Sequence, residues 1–91
     1  MTNPTRTLEI VNIKGLHARA SAKLAEVVEA HDADATVRFN GGHAAGDSIM
    51  GLLMLAASKG SFIEVETSGP EAEPLIIAIE ALVADRFGEA D

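Results

Sequence analysis

The chain has 91 residues, which is one small domain, 1–91, with a modest core. At 47% hydrophobic residues it is too apolar for a disordered chain, and with no cysteine it has neither a disulfide framework nor a thiolate metal site. A net charge of −7, from 14 acids against 7 bases, makes it a poor general ligand for nucleic acid or an anionic membrane. The opening MTNPTRTLEI lacks the basic-then-apolar pattern of a secretory leader. No stretch approaches the ~20 apolar residues of a membrane span, so a cytoplasmic location is expected.

Leu8, Ile10 and Asn12 alternate with Thr7, Glu9 and Val11, which predicts a strand from Arg6 to Ile13, broken by Gly15. From His17 to about His31 the period turns helical, with Ala20, Leu24, Val27 and Val28 as the apolar stripe. Ala35, Val37 and Phe39 mark a second strand, Asn40-Gly41-Gly42 a hairpin turn, and His43 to Ala45 a short third strand. Ser48 is placed to cap a short helix through Ile49, Met50, Leu52, Leu53 and Leu55, stopped by Lys59-Gly60. Ser61 to Thr67 alternates again as a fourth strand. A last helix opens near Pro70 or Pro74, with Leu75, Ile76, Ile79, Leu82 and Val83 inward and Gly88 at its end. The order βαββαβα, with half-apolar strands, predicts an α+β fold: an antiparallel sheet with helices on one face and a wet face carrying Thr36, Arg38, Glu64 and Glu66.

The chemistry concentrates around Asn12 to Leu24. No acid occurs between Glu9 and Glu26, yet Lys14, Arg19 and Lys23 all fall there beside His17. A histidine in the first turn of a helix faces backbone N–H groups that lack intrahelical partners, from about Ala18 to Ala20. With the helix dipole they make a place for an anion. Positive neighbours disfavour a protonated ring, and a neutral imidazole is a nucleophile. A phosphoryl group captured there would bring roughly two negative charges, which the N–H groups and Arg19 could hold. Gly15 allows a tight turn before the helix and keeps bulk away from the ring. Asn12 reads most simply as a polar strand end. His31 and His43 have no ligand-like spacing and read as a helix-end and a hairpin residue.

Gly15-Leu16-His17-Ala18-Arg19 resembles the phosphorylation-site motif of the HPr family, the histidine-containing phosphocarriers of the bacterial sugar phosphotransferase system. Ser48-Ile49-Met50-Gly51-Leu52 resembles the second signature of that family, a regulatory serine at the start of the second helix. The resemblance implies an open-faced sandwich, with a four-stranded antiparallel sheet of order 1-4-2-3 covered by three helices. It implies that His17 accepts phosphate on Nδ1 from phosphorylated enzyme I and passes it to a IIA-type domain. Arg19 would stabilise the phosphate. Gly15, Leu16, Ala18, Ala20, Lys23, Met50, Gly51 and Leu53 would form the phosphate- and partner-binding surface, with Met50 and Leu53 exposed. Ser48 would be modified by an HPr kinase/phosphorylase. Such a protein is a monomeric carrier without a cofactor or metal and does not turn over substrate on its own. A carrier in a nitrogen-related regulatory relay, or a binding module of the same fold that carries no phosphate, are the alternatives.

The chain departs from the family pattern at two positions. Ala20 stands where proline usually follows the arginine, and it keeps an N–H that proline would lack. Asp47 stands where a lysine commonly precedes the serine, and its charge would oppose a phosphoryl group on Ser48.

Overall fold

Alternation of apolar residues decides the sheet. In the computed structural model, which describes residues 2–90, the strands are β1 (Thr5–Glu9), β2 (Asp34–Phe39), β3 (Gly42–Ala45) and β4 (Phe62–Ser68). All pair antiparallel, in the order β1-β4-β2-β3. Leu8 lies opposite Ile63 and Val37 opposite Val65, and these residues share one buried face with Ala35. On the other face Arg38 reaches Glu64 at 3.1 Å and Glu66 at 2.9 Å, so the wet face predicted from the sequence is an exposed charge ladder.

The helices among the described residues are α1 (Ala18–Glu29), α2 (Ile49–Leu55) and α3 (Ala72–Ala84). All three contribute to the core over the apolar sheet face, through Ala20, Leu24 and Val28 of α1, Leu52 of α2, and Leu75, Ile79 and Val83 of α3. Burying these side chains is what holds the layers together, since none of the helices is long enough to be stable alone. Asn40 and Gly41 both have positive φ, 51° and 85°, which is the two-residue turn that matches the twist of a β hairpin.

Several boundaries differ from the sequence expectation, most by a single residue and a few by more. The first strand ends at Glu9 rather than Ile13. Ile10 still donates to Ser61 O and accepts from Gly60 N, both at 2.8 Å, and the chain then folds back, with Gly15 N donating to Asn12 O. The second helix stops at Ala56, before Lys59-Gly60, because Ala56 takes the left-handed cap conformation. That exit buries Ala57 and turns its carbonyl toward Leu16 N, 2.9 Å away. The last helix begins at Ala72, so Pro74 is its third residue, where the missing N–H had no intrahelical partner anyway. It ends at Ala84, not Gly88. A separate tight turn, Arg86–Gly88, follows and drives Phe87 fully into the core.

Candidate functional site

His17 is the N-cap of α1, in extended conformation (φ −77°, ψ −177°). Its carbonyl accepts the first helical bond from Ser21 N at 2.8 Å, and its Nδ1 accepts from Arg19 N at 3.3 Å. The side chain therefore folds back over the start of the helix, with Nδ1 among the first-turn N–H groups. Gly15 makes this possible. Its φ is +63°, and a Cβ there would stand 2.5 Å from Ala57 O and 2.9 Å from the Ser58 Cα.

The opposite edge of the ring meets an acid that sequence spacing did not reveal. Nε2 of His17 contacts Oε2 of Glu89, which arrives from the far end of the chain. A backbone N–H can only donate and a carboxylate can only accept. The two contacts together therefore assign the tautomer: Nε2 carries the proton and Nδ1 presents its lone pair. The surroundings of the ring are thus not purely basic, as the acid-free stretch from Glu9 to Glu26 suggested.

Asn12 belongs to this arrangement rather than being a plain strand end. It is fully buried, and its Nδ2 donates to Gly15 O at 2.8 Å and to Glu89 Oε1 at 3.2 Å. Two acceptors on one side fix the amide orientation, which leaves Oδ1 buried without a hydrogen-bond partner. Lys23 is turned to the same end of the chain: its Nζ donates to Phe87 O at 2.7 Å. Lys23 therefore braces the C-terminal segment while also lining the site.

A cleft of about 390 Å³ results, lined by Ile13, Lys14, His17, Arg19, Lys23, Gly88, Glu89 and Ala90. Arg19 is exposed there, and among the described residues its guanidinium has no acidic partner. Arg19, Lys14 and the first-turn N–H groups leave the Nδ1 side of the ring suited to an anion.

The remaining predicted site residues divide in two. Ala18 is exposed, but the side chains of Leu16 and Ala20 are buried in the core, so at those two positions only the backbone can face a partner. On α2, Met50 is 69% exposed, whereas Leu53 is half-buried and turned partly inward. Met54, Ile49 and Ile13 are further exposed apolar residues, as are Phe62 of β4 and Ile77 of α3. The surplus of apolar residues in α2 is the sequence signal for Ile49 and Met54, and Ile13 carries none. Ser48 caps α2 as expected, its Oγ accepting from Gly51 N at 3.1 Å.

The family described as the PTS HPr component phosphorylation site matches residues 4–85. The chain belongs to the HPr phosphocarrier family. It is 43% identical over 86 residues to phosphocarrier protein HPr of Cupriavidus necator, a match covering 94% of this chain and 97% of that one. It is 41% identical over 85 residues to phosphocarrier protein NPr of Escherichia coli K12, covering 92% and 94%. The crystal structure of HPr from Thermoanaerobacter tengcongensis superposes with a TM-score of 0.91 at 30% identity, covering 97% of this chain and 99% of that one. The HPr fold, with its 1-4-2-3 sheet, is therefore the fold of this protein.

Proposed function

We propose that this HPr-family protein, acting as a monomer in the cytoplasm, carries a phosphoryl group on Nδ1 of His17. It receives the group from phosphorylated enzyme I, charged by phosphoenolpyruvate, and gives it to a IIA-type acceptor. The observation that carries this reading is the Nδ1 acceptor held at the start of α1, beside Arg19 N and an Arg19 guanidinium that has no acidic partner among the described residues.

The geometry supports the following transfer. The Nδ1 lone pair attacks phosphorus, and the bond from phosphorus to the donor's leaving atom breaks with its electron pair returning to the donor. Nε2 keeps its proton throughout. The Arg19 N–H, now bound to Nδ1, is released to the incoming oxygens, and the Arg19 side chain neutralises part of the new charge. Exposed Met50, Met54, Ile49 and Ile13 supply apolar surface for docking donor and acceptor. Ser48 is a proposed second, regulatory phosphorylation site, for an HPr kinase/phosphorylase using ATP.

The test is incubation with phosphoenolpyruvate and a bacterial enzyme I. The wild type should gain an acid-labile, base-stable phosphate and His17→Ala should gain none. An unlabelled wild type with its cognate enzyme I would overturn the carrier reading. ATP and a cognate kinase should label wild type and not Ser48→Ala, and a silent wild type would remove the regulatory role. The similarity to NPr gives a second reading, a carrier in a nitrogen-related relay. Transfer rates to sugar-type and nitrogen-type IIA domains would separate the two.

A further inference from the structure

We propose that Glu89 is a positioning residue for His17, which selects the reactive tautomer and balances the charge of the phosphorylated ring, and that the Asp85–Ala90 segment is folded to deliver it. The inference rests on the carrier reading and deepens it. Glu89 meets Nε2, the nitrogen that does not react, and so acts through the ring without touching the phosphoryl group.

The delivery is built into the segment. Arg86, Phe87 and Gly88 follow one another at positive φ, 56°, 55° and 76°. Two of these are non-glycine residues, which rarely adopt that conformation and are strained in it. Such a run persists only where its surroundings hold it. Here Phe87 is fully buried, Lys23 grips the Phe87 carbonyl at 2.7 Å, and Gly88 N donates to Asp85 O at 2.9 Å. The next residue is Glu89, whose side chain is only 13% exposed and is shared between His17 Nε2 and the buried Asn12 amide. A carboxylate on a surface tail would ordinarily stay in water. This one is withdrawn from it and held at both oxygens by side chains of the site.

Two consequences follow for transfer. With Nε2–H bonded to a carboxylate, the alternative tautomer, with its proton on Nδ1, would lose that bond and the Arg19 N–H bond together. Nδ1 is therefore kept ready to attack. When the Nδ1–P bond forms with the proton still on Nε2, the ring becomes formally cationic. The Glu89 carboxylate then faces a positive ring, on the side away from the phosphoryl oxygens.

The experiment uses the full chain and the variants Glu89→Ala and Glu89→Gln. Ring ¹⁵N chemical shifts of the unphosphorylated protein report the tautomer without any phosphoryl donor, so they judge the hold on the ring independently of whether His17 is ever phosphorylated. Wild type should show the Nε2–H form, Glu89→Ala a mixture with the Nδ1–H form, and Glu89→Gln a return toward wild type, since its amide oxygen still accepts. Phosphorylation by enzyme I should slow about 10-fold in Glu89→Ala, as for loss of an outer partner of a working histidine. It should stay slowed in Glu89→Gln, which restores the bond but not the charge. An unchanged tautomer in Glu89→Ala overturns the proposal. So does an unchanged rate in both variants.

Discussion

Replacing Ala20 with proline, the residue usual in the family, should leave the fold nearly unharmed while stripping one donor from the anion site. Ala20 is the third residue after the N-cap His17, and the first intrahelical bond runs from Ser21 N to His17 O at 2.8 Å. The Ala20 N–H therefore closes no helical bond. The protein contains its own control: Pro74 is the third residue after the N-cap Glu71, and Leu75 N still reaches Glu71 O at 3.0 Å. A proline in a helix interior costs about 3 kcal/mol or more. At a compatible position the smaller unfolded-state entropy instead stabilises by roughly 0.4–1 kcal/mol, here offset by fitting a ring at a fully buried site. The net should stay within about 1 kcal/mol, or about 8 °C in Tm for a domain of this size. Thermal unfolding followed by circular dichroism is the assay, with Ala25→Pro, inside α1, as the damaging comparison. Ala20→Pro falling with Ala25→Pro, by more than roughly 12 °C, would refute the placement of the helix start. In the phosphorylated protein, loss of one N–H to a charged oxygen should lower the phosphoform equilibrium by about 10-fold.

Gly15→Ala should be among the most damaging single methyl additions. It combines positive φ, worth about 1–2 kcal/mol, with a 2.5 Å approach to Ala57 O, so urea unfolding should show a loss above about 2 kcal/mol. Ser48→Ala should lose about 1 kcal/mol by removing the bond from Gly51 N, and a neutral result would deny Ser48 its capping role. Glu66 is held below the ordinary carboxylate range, first by the Asn3 amide and then by Arg38. A lowered folded-state pKa means that its contribution is present above the ordinary carboxylate value of 4.5 and fades as pH falls through the folded value. Unfolding of wild type and Glu66→Gln, followed from pH 7 to pH 3, should converge at the acid end. A difference that grows on acidification would reverse the assigned sign.

Much of the fold could be read from the chain because its strands alternate cleanly and its turns carry their own residue types. Val37 and Phe39 running into Asn40-Gly41 announce a hairpin, and Ser48 announces a helix start. The exit of α2 at Ala56 could not be read that way, since alanine gives no left-handed signal and its conformation follows from burying Ala57. The site was half legible. Gly15, His17 and Arg19 lie within one turn of each other, so local spacing exposed them. Glu89 and Phe87 reach His17 and Lys23 from some 70 residues away, and only the packing of α3 against α1 brings them there. Asn12 looked like a strand end for the same reason: its partner Glu89 is remote in sequence.

The central claim is that Nδ1 of His17 is the atom that takes the phosphoryl group. Phosphorus–nitrogen couplings in the NMR spectrum of the ¹⁵N-labelled protein, charged by enzyme I and phosphoenolpyruvate and kept at alkaline pH, test it directly. The account predicts a phosphorus bonded to the imidazole nitrogen nearest the Arg19 N–H. A phosphoryl group on Nε2, or on any residue other than His17, would contradict it.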